Sequence, residues 1–174
     1  LLSNKRIQLQ SLETELARAG VEYEGPRAES FRDTDAGRLV LAIVRIVCET
    51  NDYVAHRVIL GLRPGVGVGT CNSLAEAVVA QNLNYRAVFY QPIAAGAFPA
   101  RVSRALMAAR GIVAQLADWR EQDQLQVRLE AIVEMITPLF GVVEADRWRD
   151  FARELPPQMT IEELRDFLWA DTDE

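Results

Sequence analysis

One stretch limits the fold more than any other. Leu39-Val40-Leu41-Ala42-Ile43-Val44-Arg45-Ile46-Val47 is apolar throughout except for Arg45. Thr34 or Asp35 stands ahead of it as an N-cap residue, so the run reads as a helix ending near Glu49. A helix with so little polar face must be covered on nearly every side. It falls well short of the ~20 apolar residues needed to cross a bilayer. The cover therefore has to come from the rest of the chain, with this helix at its centre. At 174 residues, 49% of them hydrophobic, the chain suits one domain with a substantial core.

The covering segments also read as helices. Gln8 to Ala19 carries Leu9, Leu12 and Leu16 at helical spacing, with Gly20 as a stop. Val21 to Glu24 alternates and reads as a short extended segment, followed by turn chemistry at Gly25-Pro26. Asn51 is placed to cap a shorter helix through about Leu60, and Thr70 to cap one bearing Leu74, Ala77 and Val78. Asn84 to Tyr90 is a short helix ended by Pro92, and Gly96 to Pro99 is a loop. Long amphipathic patterns cover Val102 to Trp119 and Leu125 to Phe140, the second closed by Pro138 and Gly141. Ala145 to Leu155 is a further helix, and Pro156-Pro157 breaks it. Thr160 and Glu163 form a capping box for a last helix carrying Ile161, Leu164, Phe167 and Leu168. The fold class is all-α, with Trp119, Trp148 and Trp169 assigned to the core.

Few residues offer catalytic chemistry. Two cysteines make neither a disulfide framework nor a zinc site; Cys48 is assigned to the core and Cys71 to a half-buried place at a helix start. His56 is the only histidine and is given a packing or surface role. The pairs Glu162/Glu163 and Asp171/Asp173 read as a solvated cap and tail. No signal-peptide pattern opens the chain, and both ends, Leu1-Leu2-Ser3 and Asp171-Thr172-Asp173-Glu174, read as cuts inside a longer protein.

The stretch Arg63-Pro64-Gly65-Val66-Gly67-Val68-Gly69-Thr70 is the strongest functional signal. It is not a nucleotide P-loop, because no lysine precedes Thr70 and the element before it is helical. The G-x-G-x-G spacing also misses the dinucleotide fingerprint, which needs a strand before it. Helix, glycine turn, helix is the context of a helix-hairpin-helix-like grip on a phosphate. The glycines allow positive φ and close approach, and free N–H groups of the turn and of the next helix can aim at one anionic oxygen. A turn that only lets two helices pack closely fits the local sequence as well. The net charge of −6 is unevenly placed: from Val54 to Arg110 the only acid is Glu76, against Arg57, Arg63, Arg86, Arg101, Arg104 and Arg110. From Gly111 to Glu174 there are 6 basic and 15 acidic residues. Composition alone leaves open whether those arginines make a field or a scatter.

The order of segments resembles the UvrD/Rep-type superfamily 1 DNA helicases. "LLSNKRIQLQSLETELARAGVEY" is similar to the strand, helix and short element that precede the family's 2B insertion. Phe31, "LVLAIVRIV" and Asn51-Asp52 follow in family order, then Gly65-Val66-Gly67 with Thr70 in the register of its GIG…T turn. "MTIEELRDFLW" resembles the helix that closes the insertion. The family's basic residue after the first strand is Asn4 here, and only Phe31 remains of its Phe pair. The resemblance implies an edge of the 2A motor domain over 1–24 and a helical 2B subdomain over 25–174. It implies a parent enzyme that unwinds duplex DNA with ATP, 3′-to-5′, in the cytoplasm. Carried over, Gly65, Val66, Gly67 and Thr70 contact the duplex backbone; Arg63 and Arg57 are added from charge. Phosphoryl transfer needs a P-loop lysine, an acidic pair for Mg²⁺ and an arginine finger together, and none stands in this sequence. ATP and Mg²⁺ are thus expected in the parent, with no cofactor, metal or ATPase activity in this segment. The expected partners are duplex DNA and the rest of the motor, with no membrane. The alternative function is a regulatory module that docks a protein and controls the motor.

Overall fold

Thr34, not Asp35, caps the central helix. Its Oγ1 accepts from the Gly37 N–H at 3.0 Å and donates to the Phe31 carbonyl at 2.7 Å. This ties the 3-10 turn Phe31–Asp33 onto the first turn of helix α1, Asp35–Cys48. The computed structural model describes residues 18–19, 30–63, 66–80, 82, 85–91, 96 and 98–170. The chain divides into two compact units, Leu1–Ser30 and Phe31–Glu174. In the first, only Arg18 (helical), Ala19 and Ser30 are described. The expected helix from Gln8, the extended segment Val21–Glu24 and the motor edge over 1–24 otherwise lie outside the described residues.

The second unit is all-α. Eight helices make up its described part: α1; α2, Tyr53–Gly61; α3, Val68–Ala80; α4, Tyr85–Tyr90; α5, Ala100–Gln115; α6, Leu125–Phe140; α7, Val142–Arg153; and α8, Ile161–Trp169. As the apolar run requires, α1 is the centre. Leu39, Val40, Ile43 and Val44 are fully buried. α1 packs against α2 on one side and against α6, α7 and α8 on the other. Beyond α2, the helices α3, α4 and α5 complete one layer, so α1 separates a glycine-hairpin layer from the acidic α6–α8 layer.

Arg45 is the one charge in the run, and it has two partners. Its Nε lies 2.6 Å from Asp52 Oδ2, and its guanidinium lies 4.4 Å from the Trp169 ring centre. Asp52 also accepts from the Ala55 N–H at 2.9 Å, which makes it the N-cap of α2 in place of Asn51. Trp148 and Trp119 are buried, but Trp169, the last residue of α8, is 45% exposed and carries the Arg45 guanidinium on its ring in place of core atoms. Trp148 packs on Phe31 and Phe151, with centroids 5.6 and 6.0 Å away. The two cysteines exchange their expected places: Cys48 is half-buried and Cys71 is buried. His56 is buried, and its ring sits against a carbonyl and a hydroxyl: Asp52 O at 2.6 Å from Nδ1 and Tyr90 Oη at 3.0 Å from Nε2. In the neutral ring the carbonyl can only accept, so Nδ1 donates and Nε2 accepts from Tyr90.

Boundaries differ from the sequence reading at α5 and α7, while α6 keeps its expected limits, Leu125 to Phe140. Pro138 lies inside the last turn of α6, and the helix runs on to Phe140. Near a C-terminus a missing N–H deprives only one carbonyl, and Gly141 at φ 86° then turns the chain into α7. α5 ends at Gln115, and Leu116 to Asp118 turn back on themselves. α7 begins at Val142, ahead of the expected Ala145. The capping box holds: the Thr160 N–H donates to Glu163 Oε2 at 2.8 Å and Glu163 N–H to Thr160 Oγ1 at 3.2 Å.

The loop between α5 and α6 is fixed by Asp123, which accepts from the Arg120 N–H at 3.0 Å and from Arg128 at 2.6 and 2.9 Å. These bonds hold its carboxyl below the usual carboxylate range, the Arg120 N–H contributing most and Arg128 next. A depressed folded-state pKa contributes stability above the unfolded value of ~3.9, and that contribution disappears as pH falls through the folded value. Asp123→Asn is therefore expected to lower the Tm at pH 7 and to flatten its decline below about pH 4. Melting curves from neutral to acid pH check this; an unchanged acid limb would remove Asp123 from the account.

Candidate nucleic-acid interface

The hairpin consists of α2, residues 62–67 and α3. α2 is oriented at its start by the Asp52 cap and along its length by packing on α1 and α5. Leu62 N–H donates to Val58 O at 3.0 Å and Arg63 N–H to Leu60 O at 3.2 Å, closing the helix with a tight last turn. Val66 N–H returns to Arg63 O at 3.0 Å, and its side chain packs half-buried against the core. The Gly67 carbonyl accepts from Thr70 and Cys71 N–H at 3.0 and 3.2 Å. Gly67 is therefore the residue from which α3 starts. Thr70, expected as the cap, lies within the first turn of α3 and is half-buried. The helix begins three residues early because the Gly67 carbonyl, not that of Thr70, accepts its first bonds. Leu74 and Val78 are buried as expected.

The two described glycines of the stretch stand in the open. Gly67 and Gly69 are exposed, and no atom lies within 4 Å of where a Cβ would be built on either. Neither has the positive φ that the sequence suggested; among the described glycines Gly96 and Gly141 do. Close packing of α2 on α3 does not call for these glycines either. The nearest approach by a glycine is at Gly61, where a Cβ would meet Cys71 Sγ at an ordinary 3.9 Å. The N–H groups of Val68 and Gly69 lie in the first helical turn, which by geometry has no intrahelical acceptors. They lie at the positive end of a 13-residue helix. Gly65 lies outside the described residues.

The arginines divide. Arg57 is exposed on α2, and Arg101 and Arg104 are exposed on α5. Arg63 turns inward: its Nη2 donates to the Ala108 carbonyl of α5 at 2.7 Å, and its Nε is buried without a partner. Burial lowers its pKa from the ordinary arginine value. Arg63 thus holds the turn against α5. Arg110 acts alike, donating to Phe89 O at 3.2 Å and Gln91 O at 2.6 Å. Charge counting alone did not reveal these two roles, since nothing in the sequence marks which carbonyl an arginine will reach. Arg63→Ala is expected to lower the stability of the chain by ~1.5 kcal/mol, the order of a hydrogen bond to a charged group. A urea midpoint equal to that of the parent chain would show that the guanidinium holds nothing.

Among the described residues no three His, Cys, Asp or Glu side chains are grouped as a metal site. No described helix is long and apolar enough to cross a membrane. What remains is the N-terminus of α3 with its exposed Gly67 and Gly69, in the acid-poor layer that also carries the exposed Arg57. No family model, no curated protein and no solved structure matches the chain.

Proposed function

We propose that this chain is the duplex-contacting 2B-type subdomain of a UvrD/Rep-type DNA helicase, and that the N-terminus of α3 rests on backbone phosphate. One observation carries the reading: Gly67 and Gly69 are required neither by backbone conformation nor by internal packing. A side chain at either place would obstruct only something outside the chain. A phosphate approaching the N–H groups of Val68 and Gly69 is such a partner, and the acid-poor surroundings favour an anion. The segment order that resembles the helicases supports the same choice. On this reading ATP and Mg²⁺ belong to the motor of the parent enzyme, which unwinds duplex DNA 3′-to-5′ in the cytoplasm, and this chain has no turnover of its own.

Phosphates carry no sequence information directly, so binding should be indifferent to sequence. Fluorescence anisotropy with two unrelated labelled duplexes, across about 50–300 mM salt, tests this. Equal affinities are expected for the two, with a log–log salt slope of only about −1 to −3, since each phosphate contributes ~−0.9. Affinity that ignores salt would remove the phosphate from the proposal.

A further inference from the structure

A second concavity lies away from the hairpin. A groove of about 560 Å³ opens where α1 and α5 end, walled by Val47, Cys48, Thr50, Leu116, Trp119 and Glu121. That volume is in the range of sites that hold a small molecule or a side chain. Its outer wall is built in advance. Ile161 N–H donates to Asp123 O at 3.0 Å, Glu162 N–H to Glu121 O at 3.1 Å, and Leu125 N–H to Met159 O at 2.8 Å. Arg128 holds Asp123 from behind and lies 5.1 Å from the Trp119 ring centre. Trp119 is only 7% exposed, and it lines the open groove. An indole N–H is a donor that can serve an acceptor entering the groove.

The charge of the groove has a sign. Two helices end at it, Cys48 closing α1 and Gln115 closing α5, and helix C-termini present carbonyl oxygens and partial negative charge. Glu121 lines the wall, and among the described residues its side chain accepts from the neighbouring Gln122 amide. The Cys48 thiol is pushed up first by burial; Arg165 acts to lower it, while Glu121, Glu162 and Asp166 raise it. Arg120 is exposed at the rim and is the one cation of the lining.

We infer that this groove takes an arginine or lysine side chain from a segment of a partner protein. The aliphatic stem would lie against Val47 and Leu116, and the cationic end would meet Glu121 and the α1 carbonyls. The adjoining peptide carbonyl would accept from the Trp119 indole. This inference does not rest on the phosphate reading, since it uses the opposite charge and a separate set of residues.

The experiment is a ¹H–¹⁵N titration of the whole chain with a capped tripeptide, Ala-Arg-Ala, the Trp119 indole signal being assigned with Trp119→Phe. Saturable movement of the Trp119 indole and Cys48 amide signals is expected, with the same peptide slowing alkylation of Cys48. Replacing the central arginine by norleucine, or Glu121 by glutamine, should weaken binding by about threefold to fivefold, the range for a partly exposed ion pair. Gly67→Glu should leave it unchanged, which separates this site from the hairpin. Equal binding of the norleucine peptide, preference for a glutamate peptide, or movement of the indole by duplex DNA and not by peptide would each overturn the inference. So would an absence of saturable shifts in a chain whose spectrum and Tm show it folded.

Discussion

Gly67→Glu is expected to reduce duplex affinity by tenfold or more while leaving the fold intact. The two halves of that expectation have separate causes. The site lies at the start of α3, where the Val68 and Gly69 N–H groups have no intrahelical acceptor. A carboxylate planted there competes for those donors and repels the phosphate. Loss of one charge-assisted contact is worth about 1.5–3 kcal/mol, and ~1.4 kcal/mol is a factor of ten. The fold should tolerate the change, because a Cβ at Gly67 meets no atom within 4 Å and the backbone has no positive φ there. A glutamate at a helix N-terminus is also on the favourable side of the macrodipole. Gly67→Arg reverses the charge at the same bulk and should bind at least as tightly as the parent chain. The measurement is anisotropy against one duplex at low salt, beside a thermal melt of each variant. Should both variants lose affinity equally, bulk and not charge would govern the site. If neither does, α3 is not where the DNA rests.

Gly37→Ala is expected to destabilise the chain by ~3 kcal/mol, against the direction that helix propensity gives. Gly37 lies in the first turn of α1, and exchanging a helical glycine for alanine ordinarily gains about 1 kcal/mol. Here the 3-10 turn folds back over that position. A Cβ would penetrate the Phe31 carbonyl oxygen and lie 2.9 Å from both Arg32 Cα and Arg32 O. These are backbone atoms, so no side chain can rotate away. The turn would have to lift, releasing the Thr34 bond to Phe31 O and the Phe31 ring from Trp148. With domain stabilities of roughly 5–15 kcal/mol, such a loss takes a large share of the total. Chemical denaturation gives the sign directly; a stabilised Gly37→Ala chain would mean that the turn does not sit where it is described.

What the sequence reveals and what it hides follow one rule in this molecule. Features that depend on near neighbours in the chain were legible. The all-α class, the burial of the Leu39–Val47 run, the start and end of α6 and the Thr160–Glu163 box all rest on local periodicity or on contacts three residues apart. Features decided across space were not. Asn51 and Asp52 are equally good caps by type, and Arg45 on another helix selects Asp52. Thr70 resembles a cap until Gly67 supplies the carbonyl that starts α3 earlier. Trp169 looks like core until Arg45 covers its ring. At the candidate site the sequence picked out the hairpin and its glycines. Positive φ, one of the reasons offered for them, is not used at Gly67 or Gly69, and Arg63, counted by charge, bonds the Ala108 carbonyl.

Arg45 has a consequence for how the unit comes apart. Its guanidinium joins the cap of α2 to the last residue of α8 through the last turn of α1. Opening the α6–α8 layer far enough to move Trp169 uncovers the charge that steadies Asp52, and so unsettles the root of the hairpin. That link predicts one unfolding transition for both layers, not an independently melting half. Any partner that displaces Trp169 would change the rigidity of the glycine turn on the other side of α1 without touching it.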